Sequence, residues 1–293
     1  MQGWKNYHTP ETVDEAIAVL GGYDGRARVI GGGTDLLVET RRGMRGPYEA
    51  MVDASRIAGL NTISQTENGI VIGCGVTHTE IMNDERIIRH GQCLAEGCSV
   101  IGGPQVRNVG TLAGNVAHAL PAGDGTIGLL ALGGEVEIAS SSGQRWIPAK
   151  DTFIGPGKSV IDRHREVLTR LRFEPTLSGE GSAFHRVMRP QGLCLPIISM
   201  AARLTVDGGS ITAASISMGP VGPVPWFAVP AAEVLIGGPA NHEQFDKAVA
   251  IALANVSLRT SKYRATEEYR SAMIRTYLPL ILAKAAERAG AQL

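Results

Sequence analysis

Two glycine-rich segments hold the groups in this chain that could do chemistry. The longer reads Ile101-Gly102-Gly103-Pro104-Gln105-Val106-Arg107-Asn108-Val109-Gly110-Thr111-Leu112-Ala113-Gly114-Asn115-Val116-Ala117-His118-Ala119-Leu120-Pro121-Ala122-Gly123-Asp124. Small residues alternate there with guanidinium, amide, hydroxyl and carboxylate groups. A loop that only closes a fold rarely needs such groups between glycines, whereas a ligand with a long polar spine does. The shorter segment, Val29-Ile30-Gly31-Gly32-Gly33-Thr34-Asp35, passes from an apolar strand pattern into three glycines and a hydroxyl. Without Cβ atoms, successive backbone N–H groups can converge on a phosphate. Taken alone, this segment reads equally well as a phosphate cradle or as a tight structural turn. It is not a Rossmann fingerprint, because Leu36 stands at the last glycine position, and it lacks the Gly-Lys-Ser/Thr ending of a P-loop. Gly155-Pro156-Gly157-Lys158-Ser159 does have that ending, but Thr152 replaces the leading glycine and no helix pattern follows, which argues against nucleotide hydrolysis.

Cysteine and histidine add little to this chemistry. Cys74, Cys93, Cys98 and Cys194 are too few for a disulfide scaffold. Cys93 and Cys98 form C-x4-C without the C-x2-C of a plant-type ferredoxin, so reduced, mostly buried thiols are expected. No metal-ligand spacing is found among the 7 histidines. Lys+Arg and Asp+Glu both number 28, so a general nucleic-acid binder or polybasic membrane-surface protein is not expected. No run approaches the roughly 18 apolar residues of a membrane span. The first residues carry no apolar signal core, and a cytoplasmic location is expected.

The elements that must position these segments fall into three groups. Thr9 to Leu20 predicts a helix with Thr9 as N-cap, Pro10 at its first position and Gly21-Gly22 at its end. With strands at Ala27–Ile30 and 51–53, and a helix from about Thr34, residues 1–55 predict a small βαβ-type unit. From 56 to about 175 the signals are mostly strands: 69–75, a hairpin over 135–148, and a half-exposed alternating strand over 166–173. A short helix is expected over about 79–88. Pro175–Gly181 predicts a linker. Beyond it lie a second hairpin (199–218) and helices at about 242–255 and 265–289. Tyr269, Met273, Tyr277 and Leu280 fall at helical spacing and are expected in the core, with Pro279 bending the helix.

Both glycine segments resemble those of the FAD-binding (medium, flavoprotein) subunits of the molybdenum hydroxylase family, the xanthine dehydrogenase and carbon monoxide dehydrogenase type. The likeness continues through Ala117, Ala119, Pro121 and Asp124 and through Phe153–Lys158. It resumes at Ser182-Ala183-Phe184-His185-Arg186-Val187 and at Tyr263–Arg270, and so covers nearly the whole chain. The resemblance implies an α+β chain with a PCMH-type FAD-binding domain at 1–175 (subdomains about 1–55 and 56–175). A C-terminal domain at 181–293 would follow, with a three-stranded antiparallel sheet and helices. It implies non-covalent FAD held by Val29, Ile30, Gly31, Gly32, Gly33, Thr34 and Asp35 on the first loop. On the second it implies Gly110, Thr111, Gly114 and Asn115 around the pyrophosphate. Ile101 and Asp124 would lie along the ribityl and ring side, and Leu168 near the adenine. Arg186 stands where many relatives have Lys near the flavin. Leu120 stands where many have Ser, which makes that edge less polar. The cysteine-rich insertion that holds a [4Fe–4S] cluster in some relatives is absent.

The same resemblance implies an oxidoreductase subunit without a general acid or base of its own. A large molybdenum–pterin partner would oxidise substrate, and a small [2Fe–2S] partner would relay electrons. FAD would then pass them to NAD+, oxygen or another acceptor, in a dimer of heterotrimers. One alternative is a self-sufficient PCMH-type FAD oxidoreductase with its own substrate pocket, but no acid/base constellation for one is visible. A second is a glycine-rich scaffold that has lost its flavin.

Overall fold

The computed structural model describes residues 3–189, 195–262 and 264–293. Cys194 and Tyr263, both named above, lie outside the described residues. The first sheet has three parallel strands in the order Asn6–His8, Ala50–Asp53, Ala27–Ile30, the expected βαβ-type unit. Its first helix is Val13–Gly22, one turn later than expected. Thr12, not Thr9, is the N-cap, and its hydroxyl accepts the Glu15 N–H at 3.1 Å. Gly21 and Gly22 are helical, and the chain turns just beyond them through Asp24 (φ 45°) and Gly25 (φ 80°).

The second sheet is antiparallel and five-stranded, ordered Ile63–Thr66, Gly69–Gly73, Val167–Phe173, Glu135–Ser140, Gly143–Pro148. Val167–Phe173 is its central strand and mostly buried, not half-exposed. Its arginines are tied to acids on the neighbouring strand, Arg170 to Glu137 at 2.7 Å and Arg172 to Glu135 at 2.6 Å.

The expectation of mostly strands from 56 to 175 is corrected by six helices: His78–Asn83, Glu85–His90, Gln92–Ser99, Pro104–Arg107, Leu112–His118 and Asp124–Ala131. The single helix expected near 79–88 is split at Asp84, which caps the second piece by accepting the Arg86 and Ile87 N–H groups. Capping side chains and Pro104 at a helix start outweigh the high glycine content. Some of the glycines serve packing. A Cβ on Gly97 would come within 2.7 Å of the Asp124 carbonyl, and one on Gly128 within 2.8 Å of the Cys93 carbonyl. Helices Gln92–Ser99 and Asp124–Ala131 therefore cross with their backbones almost touching.

The third sheet runs Glu180–Met188, Pro196–Asp207, Ser210–Gly219 and a short Trp226–Phe227, four strands where three were expected. Glu180 and Gly181, expected in a linker, begin its first strand. Helices His242–Asn255 and Glu267–Arg288 pack their apolar faces into the core of this part. The face of the last helix differs from expectation. Tyr269 and Leu280 are exposed, while Ile274, Leu278, Ile281, Leu282, Ala285 and Ala286 are buried. The stripe of large residues lies about one position off the true core face, which small alanines complete.

Candidate functional site

The strand Ala27–Ile30 and the helix Leu112–His118 flank a cavity of about 340 Å³. Every residue singled out above as a site candidate lines it. The first loop leaves the sheet at Ile30, whose side chain packs on Leu36 and Met51. Gly33 takes φ 70°, and its carbonyl accepts the Leu37 N–H at 3.0 Å, which starts helix Leu36–Arg41. Asp35 is the residue before that helix but makes no capping bond. Among the described residues, the backbone N–H groups of Gly32, Gly33 and Thr34 have no hydrogen-bond partner.

The second loop meets the first directly. A Cβ on Gly32 would lie 1.8 Å from the Val109 carbonyl oxygen, and one on Gly31 3.3 Å from Thr111 Oγ1. Thr111 Oγ1 also accepts the Gly114 N–H at 3.0 Å and so caps helix Leu112–His118. Asn115 Oδ1 accepts from the Thr126 N–H and hydroxyl at 3.1 and 2.9 Å, binding this helix to the next. Leu168, on the central strand, and Ile101 supply apolar wall.

Asp124 and Arg186 form an ion pair at 2.8 Å, with side chains 4% and 6% exposed. The Ser199 hydroxyl also donates to Asp124. This cluster joins the helix Asp124–Ala131 to two strands of the third sheet. Burial pushes the Asp124 carboxyl up, against the opposing pull of Arg186 and Ser199. Arg186 is thus a cation committed to a carboxylate, with Nε sealed and unpartnered. Leu120 is 39% exposed at the cavity.

Several lining residues escaped the sequence reading as ligand contacts: Arg28, Arg163, Leu195 and Arg264. Arg28 directly precedes the first loop segment, but a lone arginine in a short strand carries no local signal of what it faces. His78 also lines the cavity. It is 3% exposed, its backbone N–H donates to the Gly110 carbonyl at 2.9 Å, and its ring Nδ1 is buried without a partner.

Burial, aided by Arg107, lowers the His78 imidazole from 6.5 to about 4. The unfolded chain therefore takes up a proton near pH 6.5 that the folded chain refuses until about pH 4. His78 stabilises the fold fully above pH 6.5, and that contribution is lost as pH falls towards 4, amounting to about 3 kcal/mol. We expect His78→Gln to flatten the stability profile across this window in denaturant melts. An unchanged slope would mean that another group governs acid loss there.

Cys74, Cys93 and Cys98 are free and buried, and burial pushes the Cys74 and Cys93 thiols up to about 12. Among the described residues no group of three or more His, Cys, Asp or Glu is placed to hold a metal ion. No described helix is long and apolar enough to cross a membrane.

The cavity fits a dinucleotide. It combines unpartnered N–H groups on glycine backbone, orphaned buried nitrogens on Arg28 and His78, and long apolar walls. Residues 2–175 match the family described as the FAD binding domain in molybdopterin dehydrogenase, and residues 182–285 match the CO dehydrogenase flavoprotein C-terminal domain. The chain is 29% identical to the xanthine dehydrogenase FAD-binding subunit of Escherichia coli O157:H7, over 100% of both chains. It is 30% identical to the carbon monoxide dehydrogenase medium chain of Afipia carboxidovorans, covering 98% of this chain and 97% of the relative. Its fold is similar to a chain of a crystallised cyanide-inactivated Cu,Mo-CO dehydrogenase, with TM-score 0.91 and 29% identity, covering 98% and 99% of the two chains.

Proposed function

The chain belongs to the FAD-binding subunits of the molybdopterin dehydrogenases, and from that premise we propose that it is the electron outlet of a multi-subunit molybdenum hydroxylase. It receives electrons from the [2Fe–2S] clusters of a small partner and delivers them to a terminal acceptor such as NAD+ or oxygen. A large molybdenum–pterin partner oxidises the substrate, in a dimer of heterotrimers. The words "medium chain" in a relative's name support an assembly of more than one kind of chain. The observation that carries the assignment is the meeting of the two glycine loops over unpartnered N–H groups beside a buried, unpaired arginine.

FAD, when bound, supplies the ability to exchange electrons singly and in pairs. The chain's own residues bind and orient it. Gly31, Gly32, Gly33 and Thr34, with Gly110, Thr111, Gly114 and Asn115, would cradle the diphosphate; Val29, Ile30 and Asp35 would frame that loop. Ile101, Asp124 and Arg186 would border the ring side, and Leu168 the adenine. The division into 1–175 and 181–293, with subdomains meeting near 55, belongs to the same proposal.

The isolated chain should carry about one FAD, released by acid. Under anaerobic conditions its flavin should stay oxidised with purines, aldehydes, N-heterocycles or carbon monoxide. It should be reduced by the right substrate only once the partner subunits are added, because hydroxylation with a water-derived oxygen is done at their molybdenum centre. Stopped-flow bleaching of the flavin band is the measurement. Rapid bleaching of the isolated chain by any of these substrates would instead make it a self-sufficient oxidoreductase.

A further inference from the structure

The glycine loops do not account for the charge in the cavity. Arg28 is 8% exposed and lines the cavity, and its guanidinium forms neither a hydrogen bond nor an ion pair with any described residue. Its Nε is sealed from solvent without a partner, and the residue lines the cavity. The surroundings deepen the imbalance. Arg163 Nη2 donates to the carbonyls of His118 and Gly157, at 3.4 and 3.0 Å, and finds no carboxylate. Arg45 is spent on Glu39, which also accepts from His118 Nε2 at 3.1 Å. Glu39, already bonded to Arg45, is thus the carboxylate whose charge acts on both Arg28 and Arg163, and it forms an ion pair with neither.

Burial, and then the like charge of Arg163, lowers the Arg28 pKa to about 10. A fold that buries a cation without a counter-ion loses stability by doing so. It keeps such a cation where a bound group supplies the anion. The terminal nitrogens of a guanidinium present the planar fork that matches phosphate oxygens.

Resting on the FAD assignment above, we infer that Arg28, with Arg163 beside it, is the side-chain contact for an anionic phosphate of the bound dinucleotide. Backbone N–H groups would then hold one side of the phosphates and this cation another. Arg28 is a binding residue here and takes no part in electron transfer.

Arg28→Met keeps most of the aliphatic stem and removes the charge. In the full chain stripped of flavin, this substitution should leave Tm unchanged or raise it, because an uncompensated buried charge is gone. Its affinity for FAD should fall by about tenfold or more, the scale of a charged hydrogen bond. ADP should weaken in parallel with FAD, and adenosine should stay within about twofold of wild type. Arg28→Lys should recover part of the loss, and the gap between wild type and Arg28→Met should narrow as salt is raised. A residue needed only for packing would show the reverse: a lower Tm with FAD affinity intact.

Three outcomes overturn the inference. Arg28→Met could bind FAD within twofold of wild type. ADP and adenosine could lose affinity equally, which would make Arg28 a nucleoside contact. Inorganic phosphate could bind the wild-type chain alongside FAD without competing, which would assign the cation to a free anion. Failure of the FAD assignment itself looks different, because the wild-type chain would then take up no flavin at all.

Discussion

Gly32→Val should abolish flavin uptake, leaving under a tenth of the chains yellow, and should also destabilise the flavin-free chain by about 3 kcal/mol. The cause is a backbone collision. Even the first carbon of a side chain at Gly32 would stand 1.8 Å from the Val109 carbonyl oxygen and 2.8 Å from the Gly110 Cα. The two glycine loops would have to separate, and the N–H groups of Gly32, Gly33 and Thr34 would no longer converge where Thr111 and Gly114 lie. Gly31→Ala is the control, because its Cβ would meet only the Thr111 side chain, with Oγ1 nearest at 3.3 Å. We expect it to keep most of its flavin and its Tm within a few degrees. Visible absorbance at matched protein concentration, together with thermal melts of the stripped chains, decides the matter. Full flavin occupancy in Gly32→Val would show that the loops tolerate separation and that their contact does not build the site.

Asp124→Ala should cost about 3–5 kcal/mol, because it leaves the Arg186 guanidinium buried without its carboxylate. Ser199 loses its acceptor as well. The double variant Asp124→Ala with Arg186→Met should recover a large part of that loss, since no buried charge is then left unpaired. Flavin binding should separate the two effects: stability returns in the double variant, while affinity stays reduced if these side chains border the ring. Denaturant unfolding of the stripped proteins gives the first quantity and flavin titration the second. Equal stability of Asp124→Ala and the double variant would mean that the pair is not coupled as its 2.8 Å contact implies.

Much of the candidate site was legible because glycine leaves a record. A backbone that must be approached closely, or must take φ 70° as Gly33 does, demands a missing Cβ at one position, and that demand is written locally. Thr111 was named through the family resemblance alone, and its part as the cap of helix Leu112–His118, accepting the Gly114 N–H, came only with the structure. The same glycines misled the reading of secondary structure. Between 101 and 124 they suggested an extended ligand loop, whereas the segment is broken into short helices. Gly97 and Gly128 are there for close helix crossing, and no local pattern distinguishes that use from a turn.

By itself the sequence determined which backbone stretches must approach something closely, the strand pairs joined by short turns, and the balance of charge that disfavours a polyanionic partner. The first two depend on residues a few positions apart and the third on composition alone, so spacing, propensity and counting carry them. Only the tertiary structure decided that Gly32 lies against Val109, and that Asp124 meets Arg186 across 62 positions. It alone decided that the last helix buries its alanine face while Tyr269 faces outwards. It alone showed that the Arg28 Nε is buried without a partner. The physical reason is common to all four. Burial and charge pairing are set by which distant elements the fold brings together, and a side chain's local neighbours in sequence neither supply its counter-ion nor exclude its water.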